Sequence, residues 1–251
     1  MYQVQQSPPS EDFNNAWSAA GQHIQKQVDT GLSWLRATLT PPMAEHLSFR
    51  IGNQIFFIFV EAAEFSYPQR KNLFEKVCVN ANAIPCLMPM KKWLGKWKPS
   101  ISGWGLIHAQ SNKAINPLDY VSDELIEMTD WELHDFAIQV VCTHLEKERK
   151  KVFSKQPSTE IDPSIWFEDS TGSHFVVIRS ARYPATEAMV PNNIANIKQG
   201  CAKLSNSGYF ASVVFANSED PFDPEGKTNG NYLPLYRGHG VFPKFLGLQA
   251  L

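Results

Sequence analysis

Apolar residues recur at helical spacing from Phe13, through Trp17, Ala20, Ile24, Val28, Leu32 and Leu35, and predict one helix over residues 13–39. Thr40-Pro41-Pro42 would end it, because proline lacks an amide hydrogen and its ring clashes with the preceding turn. Before the helix, residues 1–11 are polar and read as a loose tail. Residues 47–51 and 54–61 flank Gly52-Asn53 and predict a hairpin. The run IFFIFVE within it is apolar on both faces, so this strand should be covered above and below. Tyr67-Pro68 opens a second helix with Leu73, Val77 and Ala81 inward, followed by an apolar segment over residues 83–90. Residues 103–110 read as a further strand.

In the second half, a short helix is predicted from Asp123, and Thr129-Asp130-Trp131-Glu132 has the spacing of a capping box. There the threonine hydroxyl and the glutamate carboxylate each satisfy an amide that the first helical turn leaves unpaired. The helix should run to residue 150, with Leu133, Phe136, Ala137, Val140, Val141, His144 and Leu145 on its inner face. Strands follow at 152–154, 164–167 and 174–180, the last two joined by turn-forming residues 168–172. A helix over 192–204 carries Ile194, Ile197, Cys201 and Leu204 inward, and residues 209–216 form a final apolar strand. Residues 217–251 are rich in Pro, Gly and Asn and predict a wrapping tail, with Tyr232, Tyr236, Phe242 and Phe245 against the domain.

This alternation of strands and helices predicts a mixed α/β protein. An amino-terminal α/β lobe would span 13–128, and a second domain with its tail would span 129–251. The lobe reads helix, two strands, helix, strand, close to the order of the second half. A degenerate repeat and an unrelated packing lobe both fit that order.

Composition narrows the class without naming a partner. Hydrophobic residues at 43% and charged residues at 19% exclude wholesale disorder. A formal charge of −2 gives no global attraction to nucleic acid, so any such binding needs a local patch. Cys78, Cys86, Cys142 and Cys201 form no CxxC pair and read as reduced, buried thiols. No secretion-signal pattern and no membrane-spanning run is seen, which predicts a cytoplasmic protein without membrane contact.

One local patch does exist. In KKWLGKWKP, Lys91, Lys92, Lys96 and Lys98 interleave with Trp93 and Trp97. Ammonium groups could follow a phosphate backbone while indoles stack on bases. The same residues also fit a surface loop anchored by its tryptophans.

The order αβββαβ over 129–216, together with DPSIWFEDSTGSHFVVIRSA at its centre, resembles the PD-(D/E)XK nuclease superfamily, whose core is restriction-endonuclease-like. The resemblance covers about a third of the chain. It implies a Pro-Asp on the second strand and an acidic-x-Lys on the third, whose carboxylates hold Mg²⁺ for phosphodiester hydrolysis. Here Pro163-Ser164 and Val177-Ile178-Arg179 occupy those places. Neither serine nor valine supplies an anionic oxygen for a hard cation, and Arg179 suits a phosphate better than it suits a base.

Two readings follow. In the first, the chain is a catalytically inactive nuclease scaffold that binds DNA, RNA or a protein partner, with no cofactor. Nucleic acid would then meet Lys91, Lys92, Trp93, Lys96, Trp97, Arg179, Lys198 and Gln199; the last two lie where the family's second helix faces substrate. In the second, the chain is a Mg²⁺-dependent endonuclease with relocated ligands, Asp162 and Glu132 for the metal and Arg179 for the phosphate. No HxH, HExxH, GxSxG or glycine-rich phosphate loop is present to favour another chemistry. His134, His144 and His174 are scattered, and His239 lies in a glycine-flanked turn, Arg237-Gly238-His239-Gly240.

Overall fold

Ser10 caps the first helix, α1 (Glu11–Gln25), its hydroxyl accepting the Phe13 amide at 3.2 Å. The structure is a computed structural model that describes residues 9–37, 46–63, 68–220, 222 and 232–251, apart from the side chains of 68–70, 72 and 73. The proline stop at 40–42, the tail before residue 9, the helix start at Tyr67 and the inward place of Leu73 lie outside the described residues and side chains.

The first helix is shorter than its apolar spacing predicts. Asp29-Thr30-Gly31 turns the chain, with Gly31 at φ +87°, where a side chain is strained. A strand follows, β1 (Leu32–Arg36). Val28, Leu32 and Leu35 thus belong to a turn and a strand rather than to one helix face.

That strand pairs antiparallel with β2 (His46–Ile51), and β2 pairs antiparallel with β3 (Gln54–Glu61). The third strand is buried throughout except at its two ends, as its doubly apolar sequence requires. Phe56, Ile58 and Val60 join Phe13, Trp17 and Ile24 of α1 in one core. Phe59 meets Phe74 of α2 (Pro68–Asn80), with ring centroids 5.4 Å apart. The chain returns as β4 (Ile84–Trp93), parallel to β3. β5 (Lys96–Pro99) and β6 (Leu106–His108) both pair antiparallel with β4, and β7 (Ala114–Ile115) pairs with β6. The strand read over 103–110 is cut short because Gly103 and Gly105 take positive φ. The short helix lies at Pro117–Tyr120 as a 3-10 turn, ahead of its expected start at Asp123.

A second compact unit begins at Glu127. Its elements are α3 (Asp130–Lys147), β8 (Lys151–Lys155), β9 (Ile165–Asp169) and β10 (Gly172–Arg182), then α4 (Ile194–Cys201) and β11 (Gly208–Asn217). β8, β9 and β10 form an antiparallel meander, and β11 lies parallel to β10. Leu133, Ala137 and Val141 of α3 pack on Val176 and Ile178, while Ile197 and Cys201 of α4 pack on Phe175 and Val177. Alternate residues of β10 therefore feed two cores, each fully buried side chain stabilising the fold by roughly 1.5–3 kcal/mol.

The carboxy-terminal segment does more than wrap. It adds β12 (Val241–Phe245) and β13 (Gln249–Ala250), both antiparallel to β11. Pro243 is tolerated in β12 because that strand ends the sheet and need not donate on its open side. Leu235 is buried, whereas Phe242 stays 50% exposed, against the covering expected for it.

Both units are mixed α and β. Each runs helix, three antiparallel strands, helix, and a fourth strand parallel to the third. In this order the strand that the sequence pattern of the first half lacks is β1, which the apolar spacing assigns to the end of the first helix. No helix among the described residues is long and apolar enough to cross a membrane.

Candidate functional site

The capping box forms at the start of α3. Glu132 donates its amide to Thr129 Oγ1 at 3.3 Å, and Glu132 Oε2 accepts the Thr129 amide at 2.8 Å. The same carboxylate is buried against Arg237, whose Nε lies 2.9 Å from Oε1 and whose Nη2 lies 2.8 Å from Oε2. A fork-shaped cation with two parallel donors satisfies both oxygens at once. Sequence reasoning singled out His239 in that turn and passed over Arg237. Its only local signal was a cation directly ahead of the turn-forming Gly238.

Asp162 and Ser164 both precede β9, so strand alternation does not set the side on which Asp162 lies. Its two oxygens accept from Arg179 Nη1 at 2.9 Å and Nη2 at 2.6 Å. Side-chain exposures of 25% for Arg179 and 12% for Asp162 leave the pair only partly wet. Asp162 also lines a cavity of about 270 Å³ with Glu160, Trp166, Asn196, Ile197 and Cys201. His134, two residues beyond Glu132 on α3, is buried, and its Nε2 has no hydrogen-bond partner among the described residues. Burial, then the Arg179 charge, hold its imidazole down to about pKa 4, with Asp162 opposing.

Glu132 and Asp162 are thus each neutralised by a different arginine. Among the described residues no group of three or more His, Cys, Asp or Glu is arranged to hold a metal ion. The relocated-ligand arrangement would have to break two guanidinium pairs before a cation could take either carboxylate. Arg179 is likewise committed to Asp162, so it does not stand as a free phosphate contact. The two positions that the nuclease resemblance would assign to a metal-binding pair are closed. Ser164 and Val177 are both 0% exposed, Ser164 Oγ accepts the Ile178 amide at 3.3 Å, and Val177 packs with Ile197 and Cys201.

The remaining candidates lie apart from this pair. On α4, Lys198 is half-buried and Gln199 exposed. The basic segment forms the β4 and β5 hairpin, turning at Leu94-Gly95. Lys92, although exposed, lies with Trp97 on the side of the hairpin that meets α1. Trp97 is buried in the core with α1, and Lys92 Nζ lies 2.5 Å from Asp12 and 5.2 Å over the Trp97 ring. Lys91, Trp93, Lys96 and Lys98 remain exposed.

A further hydrogen-bonded set joins the β9–β10 turn to the loop before β11. His174 lies 2.7 Å from Ser207 Oγ through Nδ1 and 2.9 Å from Asp169 through Nε2. Thr171 shares Asp169 through both its amide and its hydroxyl, and these bonds hold the Asp169 carboxyl well below the usual range. The arrangement staples two loops, with the His174 ring stacked on Phe167 at 4.9 Å.

The second unit is therefore a mixed α/β domain whose inward carboxylates are each paired with an arginine. A family model described as a domain of unknown function (DUF8840) matches residues 131–251, just under half of the chain, and takes in both arginine–carboxylate pairs. No curated protein and no solved structure matches the chain.

Proposed function

We propose that this chain is a nucleic-acid-binding protein built on a PD-(D/E)XK-type core that no longer cleaves. The observation that carries the reading is the closure of the two metal positions: Ser164 and Val177 are wholly buried and their atoms serve the sheet and the core. Support for the scaffold comes from the pairing of β8 to β11, an antiparallel meander followed by a parallel strand, with a helix packed on either face. A hard cation needs several anionic oxygens, and the two carboxylates nearest in role, Glu132 and Asp162, are held by Arg237 and Arg179. What remains for the scaffold is binding.

The test is direct. Purified protein incubated with plasmid and with oligonucleotides in Mg²⁺ or Mn²⁺ should leave both intact, and should retard the oligonucleotides with an affinity that falls as salt rises. Metal-dependent cleavage that disappears in Asp162→Ala would establish the endonuclease instead. No retardation at low salt would turn the reading from nucleic acid to a protein partner.

A further inference from the structure

The β4 and β5 hairpin sorts its basic and aromatic residues onto two sides. Its cross-strand pairs are Lys91 with Lys98, Lys92 with Trp97, and Trp93 with Lys96. Directly opposed residues share a side and successive residues alternate, so Lys92 and Trp97 fall together on one side and the other four fall on the opposite one. The first side is used up by α1, through Asp12 and the core around Trp97.

The second side has no such use. Trp93 is 60% exposed, and Lys91, Lys96 and Lys98 make no ion pair among the described residues. Two of these lysines, Lys91 and Lys98, stand directly opposite each other, where like charges weaken a sheet. An indole left in water and a repelling pair are both unfavourable for the isolated hairpin. Both become favourable against a polyanion that also carries flat apolar rings.

The geometry points to this outer side of the hairpin as a binding platform for single-stranded nucleic acid. The inference rests on the reading of the chain as a nucleic-acid-binding protein, and adds the place and the form of the ligand. Three ammonium groups meet consecutive phosphates while Trp93 stacks on an unpaired base. A duplex keeps its bases stacked on one another and offers the indole no ring, so single strands are preferred over duplexes of the same length.

The experiment is fluorescence anisotropy of labelled oligothymidine and oligouridine, titrated with the full chain over a range of salt. The variants are Trp93→Ala, Trp93→Phe, the triple change Lys91→Gln with Lys96→Gln and Lys98→Gln, and, as a control, Lys244→Gln at an exposed position of β12. The four substituted hairpin positions are exposed, so circular dichroism should show an unchanged fold. Trp93→Ala should weaken binding roughly ten-fold or more and Trp93→Phe less, since one stacked base contributes on that order. The triple variant should lower the slope of log affinity against log salt by about 2, at roughly 0.7 per single-strand phosphate contact. Wild-type binding that is equal in all hairpin variants overturns this site and leaves the broader reading standing. Absence of wild-type binding to every oligonucleotide ends both. Trp93-dependent binding to anionic phosphatidylserine vesicles without oligonucleotide binding would overturn the assignment in favour of a lipid surface.

Discussion

Arg237 closes over Glu132 from 105 positions further along the chain, with its side chain 1% and that of Glu132 7% exposed. The contact fastens the carboxy-terminal segment to the first turn of α3. It also occupies the oxygens that a cation would need. Removing one member of such a buried pair strands the other, at a cost of about 3–5 kcal/mol. Glu132→Ala and Arg237→Ala should each lower the urea midpoint strongly, and the double variant should cost much less than their sum. A double-mutant cycle reads the coupling. Additive losses would mean that the pair does not act as a unit.

The pair of Asp162 and Arg179 is wetter, so its loss should be milder. Asp162→Asn leaves the guanidinium without a charged partner and should destabilise by roughly 1–3 kcal/mol. Because both carboxylates are already neutralised, millimolar Mg²⁺ or Mn²⁺ should leave the melting temperature of the wild-type protein unchanged. A metal-dependent rise that Asp162→Asn removes would assign the carboxylate to a cation after all.

His134 makes the second unit sensitive to mild acid. Its folded pKa, held down to about 4, lies below the ordinary value of 6.5, so the unfolded chain binds the extra proton first. The resulting stability is present above pH 6.5 and drains away as pH falls toward 4. From pH 7 to pH 5 the loss from this group amounts to about 2 kcal/mol. His46, buried in the first unit and also held well below its usual value, acts in the same direction. Unfolding free energies from urea titrations at the two pH values should converge in His134→Leu by about that amount. An unchanged pH dependence in the variant would place the acid sensitivity elsewhere.

Short-range patterns were legible and long-range pairings were not. Thr129 and Glu132 are three residues apart, so their reciprocal bonds could be read from spacing alone. The doubly apolar run of β3 likewise announced its two covering layers. Leu32 and Leu35 misled because a turn of the right length left them in helical phase with Ile24, although Gly31 carried the stop signal. Phe136 was placed inward by the same period, yet it is 37% exposed and meets Phe215 only at the edge of the core. At the candidate site, the absence of acids at positions 164 and 177 was visible in the sequence. The arginines that neutralise Glu132 and Asp162 were not assigned, because no local rule pairs residues 105 and 17 positions apart.

The cysteines supply a probe of how tightly both units are closed. Cys78, Cys86, Cys142 and Cys201 are all free and all buried. Burial comes first among the causes that raise every one of these thiols, carrying Cys142 and Cys201 to about 11. A thiol reacts as its thiolate, so at neutral pH each native thiol is slowed both by access and by a depleted reactive form. Titration with an aromatic disulfide reagent should therefore find four thiols in denaturant and almost none in the native protein over minutes. Asp162 adds to the rise at Cys201, so Asp162→Asn should quicken that thiol more than the other three. Cys201 reacting at the same rate in variant and wild type would show that access alone limits it.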